Sequence, residues 1–136
     1  ADFPLIRARV IARTEILKAQ FYGEELAKQD TMWETAEIWI AAKDHRTRHS
    51  HRDIDGETIN TGSRFRVERF RGNTLVGYDM MLGPGDPTAS PENVINCRCT
   101  RVVRAARDNN GRLIRKSKIF VALPGSFTQP SPTITI

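Results

Sequence analysis

The order of hydrophobic patterns along this chain restricts its fold more than any single motif. Apolar residues recur at helical spacing near the N-terminus: Ile6, Val10, Leu17 and Phe21. They predict a helix that ends at Gly23. Strand-like segments follow, and no second long helical pattern comes after them. Because a parallel sheet needs crossover helices, the sequence predicts an α+β fold with the N-terminal helix packed on an antiparallel β-meander.

Segments rich in β-branched and aromatic residues predict the strands, at residues 33–42, 64–70, 74–82, 99–106 and 113–123. Turn dipeptides lie between such segments, as in hairpins, at Asp55-Gly56, Gly72-Asn73 and Asn110-Gly111. A length of 136 residues fits one globular core. We therefore predict one domain over residues 1–123, followed by an extended C-terminal tail over residues 124–136.

Composition indicates whether a membrane partner and disulfide bonds are to be expected. The longest apolar run is far shorter than the roughly 20 residues that a membrane-spanning helix requires, so no membrane partner is predicted. Two cysteines are too few for a disulfide framework, and their separation by a single residue disfavours an unstrained bridge. Free thiols or metal-bound thiolates in a reducing cytoplasm are therefore expected.

All the histidines and cysteines fall in two short segments: His45, His49 and His51 in one, Cys97 and Cys99 in the other. The two cysteines would point to the same face of a strand, and His51 could close on them. These are three ligands of the types that zinc prefers, and a fourth could come from His49, an aspartate or water. Zinc is therefore the cofactor this sequence suggests. Alternatively, the cysteines are buried small apolar residues.

Polar residues interrupt the apolar face of the predicted helix at Arg13, Thr14 and Glu15. A break of this kind turns polar groups toward the interior, where they need partners. More charged residues end the first predicted strand: Asp44, Arg46 and Arg48. We predict that these six residues form a structural polar core, with Glu15 within hydrogen-bond reach of Arg46 or Arg48.

The same segment allows a catalytic interpretation. His51 as general base, with Arg46 or Arg48 stabilising a phosphorane, would form the site of an RNase-like nuclease or toxin-type domain. A single histidine in the motif leaves the general acid unassigned. Catalysis is therefore the alternative function, and an enclosed His51 would count against it.

Basic residues form a stripe between residues 98 and 118, opposed only by Asp108. They are Arg98, Arg101, Arg104, Arg107, Arg112, Arg115, Lys116 and Lys118. Such a stripe predicts contact with nucleic-acid phosphates or with an acidic protein partner. The alternative is a strand face that only meets water.

Five motifs occur in order along the chain. They are Ala12-Arg13-Thr14-Glu15, Trp33 before Asp44-x-Arg46-Thr47-Arg48-x-Ser50-His51, Asp55-Gly56, the Pro-Gly-Asp-Pro loop of residues 84–87, and Asn96-Cys97-Arg98-Cys99. Together they resemble the phage Mu F-like family of minor head proteins, also called the head morphogenesis family. The resemblance extends over residues 9–103.

The resemblance implies a structural protein of a tailed bacteriophage rather than an enzyme. It implies action at the portal vertex in head assembly, with a role in DNA packaging or ejection. The implied partners are the portal protein, other head or connector subunits, and viral DNA bound without sequence preference. Several copies around the portal or a homo-oligomer would fit this role. The implied location is the virion, and the host cytoplasm during assembly.

Overall fold

A long N-terminal helix, α1, spans Phe3–Asp30 in the computed structural model, which describes residues 3–117. The predicted helix end at Gly23 is wrong, because the helix continues for seven more residues. Space around Gly23 is open, and the residues after it include strong helix formers, among them Leu26, Ala27 and Lys28. The extension brings Glu24, Glu25 and Lys28 within reach of the strands.

The strands and two short helices follow α1. The strands are β1 Thr35–Ile40, β2 Thr58–Asn60, β3 Phe65–Arg71, β4 Thr74–Met81 and β5 Thr100–Ala105. Helix α2 spans His49–Asp53 and helix α3 spans Pro91–Val94. No helix in the described part of the chain is both long and apolar enough to cross a bilayer.

Every strand pairing within residues 3–117 is antiparallel, so the predicted α+β class is confirmed. The strands divide into two sheets rather than following one another in a single meander, with β2-β1-β5 in one sheet and the β3-β4 hairpin in the other. The division arises because β2 and β5 both pair with β1, one at each edge, while β3 pairs with β4 rather than with β2. Gly72-Asn73 forms the turn of the β3-β4 hairpin, as predicted.

The last predicted strand, residues 113–123, is reduced to isolated bridges in the described residues. Leu113 bridges to Arg107 across the Asn110-Gly111 turn, and Arg115 bridges to Trp33. Lys118 and the predicted tail over residues 124–136 lie outside the described residues.

The apolar core lies between the two sheets and α2. Trp39, Phe65, Val67 and Met81 are fully buried. The Trp39 ring lies edge-on to the Phe65 ring at 5.3 Å and to the His51 ring at 5.2 Å. The core therefore encloses His51, a residue that sequence analysis placed among the candidate site residues.

Helix α1 is tied to the sheet mainly by polar contacts. Arg101 of β5 is buried and forms ion pairs with Glu24 at 2.5 Å and Glu25 at 2.7 Å. Lys28 forms an ion pair with Glu37, which is buried on the inner face of β1. Among residues 4–30 of the helix, Leu17 and Phe21 are the only large apolar residues that are buried. Charged pairs therefore fix the position of the helix more than apolar burial does.

Candidate metal centre

His51 lies on α2, and Cys97 and Cys99 lie in the segment just before β5. The three side chains are 1%, 2% and 3% exposed. His51 Nδ1 is 3.6 Å from Cys97 Sγ and 3.5 Å from Cys99 Sγ. All three ligand atoms lie within 4.8 Å of one another. The histidine segment and the cysteine segment therefore meet at one buried point.

A relay of polar side chains orients the His51 ring. Asn93 Nδ2 donates to Asp79 Oδ2 at 2.8 Å, which leaves Asn93 Oδ1 facing His51 Nε2 at 3.2 Å. Because that oxygen can only accept, Nε2 carries the proton, and in a neutral ring Nδ1 presents its lone pair to the two sulfurs. Neither Asn93 nor Asp79 was predicted from the sequence.

Asp79 is itself held in place. Ser90 Oγ donates to Asp79 Oδ2 at 2.5 Å, and Arg69 lies 3.8 Å from the other carboxylate oxygen. A carboxylate with this many partners keeps one position, and it therefore holds Asn93 in one orientation. The relay extends from the β3-β4 hairpin to the buried histidine.

The two thiols differ in acidity. A hydrogen bond from Cys97 outweighs burial and lowers the pKa of Cys99 to about 4. The hydrogen bond to Cys99, together with burial, raises the pKa of Cys97. One thiolate therefore forms readily beside His51, and forming the second requires an added positive charge.

The polar residues of α1 hold the Asn-Cys-Arg-Cys segment. Arg13 donates to Asn96 Oδ1 at 2.6 Å, and the Asn96 backbone N–H donates to Thr14 Oγ1 at 3.0 Å. Asn96 adopts a left-handed conformation with φ of 57°, which reverses the chain just before the first cysteine. Arg13 and Thr14 therefore position the cysteines through Asn96.

The predicted pairing of Glu15 with Arg46 or Arg48 is wrong. Glu15 is exposed and pairs with Lys18 at 3.4 Å on the same helix. Thr14 is the residue that faces the interior, and the next helical position is turned about 100° away from it. Helical geometry therefore sends Glu15 to solvent.

Asp44 pairs with Arg98, which is not one of the six residues of the predicted polar core. Arg98 donates to both carboxylate oxygens of Asp44, and this contact lowers the pKa of Asp44. The side chain of Arg46 is exposed, and Arg48 donates to the Ile95 carbonyl at 2.5 Å. Residues 44–47 form a turn, so Asp44, Arg46 and Arg48 do not end a strand as predicted. Asp44 and Arg48 therefore each contact the segment of residues 95–98, and the side chain of Arg46 lies outside this set of contacts.

The residues of the catalytic alternative do not form an open cleft. Both ring nitrogens of His51 face protein groups, and the Arg46 side chain points to solvent. A cavity of about 10 Å³ adjoins the centre, lined by the Arg46–Arg48 turn, His51, and residues 96–99. That volume holds roughly one water molecule and is too small for a nucleotide. His49 is not a ligand either, because its exposed ring packs on Phe70 at 4.3 Å.

The predicted basic stripe is divided by the fold. Arg101 is buried against Glu24 and Glu25, and Arg98 pairs with Asp44, so neither belongs to a surface for partners. Lys116 is half-buried and donates to the Lys28 carbonyl. In the described part of the stripe four arginines remain exposed, and we call them the basic face: Arg104, Arg107, Arg112 and Arg115.

The arrangement defines a small α+β module built around an enclosed polar centre, and comparison with known proteins gives its family. The family model described as Phage Mu protein F like protein matches residues 1–102. The chain belongs to the phage Mu F-like family. It is similar to the minor head protein GP7 of Bacillus phage SPP1, with 32% identity over 121 residues, covering 79% of this chain and 35% of that protein. The chain therefore spans about a third of the relative's length. No solved structure matches it.

Proposed function

We propose that this chain is a structural minor head protein that acts at the portal vertex of a tailed phage, during head assembly and in DNA packaging or ejection. The observation that carries the proposal is the enclosure of His51, Cys97 and Cys99. A structural module keeps such residues inside, whereas an enzyme exposes them to substrate. The Mu F-like membership and the name of the SPP1 relative support the head assignment.

The absence of nuclease activity is part of the proposal. A general base must reach the proton it abstracts, and His51 is 1% exposed with Nε2 directed at Asn93. The purified protein should therefore leave RNA and DNA intact. Cleavage that is lost in His51→Ala while the fold is retained would support the alternative nuclease function.

The surface of α1 supports contact with other head proteins. Large apolar residues are exposed along much of its length: Leu5, Ile6, Ile11, Ile16, Tyr22 and Leu26. An isolated domain rarely leaves so many large apolar side chains on one helix in water. The proposed partners are the portal protein and other head or connector subunits, with several copies of this chain around the portal.

The basic face supports contact with the packaged genome. Its four arginines are exposed, and the protein has a net charge of +5. Arginine binds phosphate without reading base sequence, so the proposed DNA contact has no sequence preference. The proposed location is the virion, with the host cytoplasm as the site of assembly.

Co-purification with the portal protein tests the proposed partner. The two proteins of the same phage would be co-expressed, and the complex isolated through a tag on the portal protein. The variant Ile6→Asp with Ile16→Asp should lose the complex, whereas Arg64→Asp, on the exposed start of the hairpin, should keep it. A portal protein that never retains the wild-type chain would contradict the proposal.

A further inference from the structure

We propose that His51, Cys97 and Cys99 bind one zinc ion, in a site that is separate from any contact with the portal. The three residues supply one nitrogen and two sulfurs, which are the ligand types of structural and catalytic zinc sites. The site lies in the core, so its role is to hold the fold together rather than to meet a partner.

The spacing of the donor atoms matches tetrahedral zinc. With zinc–sulfur bonds of about 2.3 Å and zinc–nitrogen bonds of about 2.05 Å, a tetrahedral angle separates nitrogen from sulfur by about 3.6 Å. The observed distances from His51 Nδ1 are 3.6 Å to Cys97 Sγ and 3.5 Å to Cys99 Sγ. Zinc therefore requires only small movements of these side chains.

A protein oxygen also holds the ring nitrogen of His51 that faces away from the sulfurs. A zinc-bound histidine usually donates its other ring N–H to a protein oxygen, and His51 Nε2 faces Asn93 Oδ1 at 3.2 Å. Asp79 fixes Asn93 through a hydrogen bond of 2.8 Å. The relay therefore leaves Nδ1, the nitrogen on the side of the sulfurs, free to coordinate.

Charge also favours a divalent cation over a bare thiol pair. Two thiolates side by side in the core repel each other, and zinc bound by two thiolates and one neutral imidazole forms a neutral unit. The adjoining cavity, lined in part by Thr47 and Arg48, has room for roughly one water as the fourth ligand. Bound zinc would join α2 to the segment that leads into β5.

Metal content is the direct test. The 136-residue chain would be purified through a tag that contains no histidine, without chelator, and its zinc measured by mass spectrometry. We expect about one zinc per chain, and chelation should lower the melting temperature. Substitution with Co²⁺ should give thiolate-to-cobalt charge-transfer absorption, which reports sulfur ligation without any mutation.

Variants assign the ligands. Cys97→Ser and Cys99→Ser should each weaken zinc binding and reduce the cobalt charge-transfer absorption. His49→Ala is the matched control, because His49 lies on the same short helix and packs on Phe70 instead. It should keep the full zinc content.

The contact of Asn93 with His51 gives a graded test. Asn93→Leu should lower zinc affinity roughly 10–100-fold, since it removes the acceptor that orients His51. Glu92→Gln is the control. Glu92 is the neighbour of Asn93 on the short helix α3 and pairs with Arg71, so this variant should leave the zinc affinity unchanged.

Two results would overturn the proposal. One is a folded wild-type chain that retains no zinc after incubation with the metal and gel filtration, and that shows no cobalt charge-transfer absorption. The other is a Cys97–Cys99 disulfide in freshly isolated protein, found by mass spectrometry. Neither result would bear on the portal role, which is tested on other residues.

Discussion

Arg101 on β5 forms a buried ion pair with Glu24 on α1, with Nε 2.5 Å from the carboxylate oxygen. Its side chain is 1% exposed, and its guanidinium also reaches Glu25 and the carbonyl of Leu82. It lies over the Phe21 ring at 4.9 Å. One arginine therefore joins the helix, the three-stranded sheet and the loop after the hairpin.

Removing this arginine should destabilise the fold strongly. Arg101→Met leaves Glu24 without its ion-pair partner and Glu25 with Lys28 alone, and breaking a buried pair in this way costs about 3–5 kcal/mol. The free energy of unfolding, measured by urea denaturation, checks the effect. Arg104→Met is the matched control, because Arg104 lies on the same strand but is exposed, and should change stability by about 0.5 kcal/mol or less. Similar destabilisation in both variants would contradict the structural role of Arg101.

The Pro-Gly-Asp-Pro loop should tolerate no side chain at Gly85. A Cβ there would lie 2.7 Å from Leu17 Cγ and 2.9 Å from the Leu17 carbonyl oxygen. Gly111, like Gly85, has a positive φ, here of 77°, but the space around Gly111 is open. Gly111→Ala should therefore cost only the conformational strain of about 1–2 kcal/mol, and Gly85→Ala should cost clearly more. Equal costs, measured by urea denaturation, would mean that the loop is not packed against α1.

The Asp44–Arg98 pair should make stability depend on pH. Arg98 lowers the pKa of Asp44. A carboxyl with a lowered folded pKa stabilises the fold above its unfolded pKa, about 4, and loses this contribution as the pH falls through the folded value. The stability gap between wild type and Asp44→Asn should therefore be largest near neutral pH and shrink as the pH falls below about 4.

Urea denaturation across a pH series measures that gap. Added salt should also reduce it, because the Asp44 side chain is 37% exposed. Asp53→Asn is the control, because Asp53 is an exposed acid at the end of helix α2, shortly after the Asp44 turn. A gap that widens on acidification would contradict the pairing.

The basic face should bind DNA in a salt-dependent manner. Replacing Arg104, Arg107 and Arg115 by glutamine should weaken binding to duplex DNA of any sequence. It should also lower the slope of log affinity against log salt by roughly one for each phosphate that is no longer neutralised. A triple glutamine variant at Arg7, Arg52 and Arg64, which are exposed elsewhere, has the same net charge and should bind more tightly than the first. Equal weakening in both would mean that only net charge matters.

The sequence predicted the features that depend on local signals. The Gly72-Asn73 hairpin follows from turn chemistry, and the meeting of His51 with the two cysteines follows from their concentration in two segments. The burial of Arg101 does not follow from the sequence, because its partners lie on the part of α1 beyond the predicted helix end. A charge run alone cannot separate Arg101, which is buried, from Arg104, which is exposed.

The contacts of Asn93 and Asp79 around His51 could not be predicted for a related reason. Asn93 and Asp79 come from α3 and from β4, and only the tertiary fold brings them to His51. The prediction for Glu15 fails for a local reason, because helical geometry turns Thr14 inward and the next residue, Glu15, to solvent.

The position of the protein in the head tests the account most directly. Phage heads assembled with a tagged copy of this chain would be labelled with gold against the tag and imaged by electron microscopy. A head has a single portal vertex, so the account predicts label at one vertex of each head and on isolated portal complexes. Label spread over the whole shell, or its absence from purified heads, would contradict the proposed role at the portal.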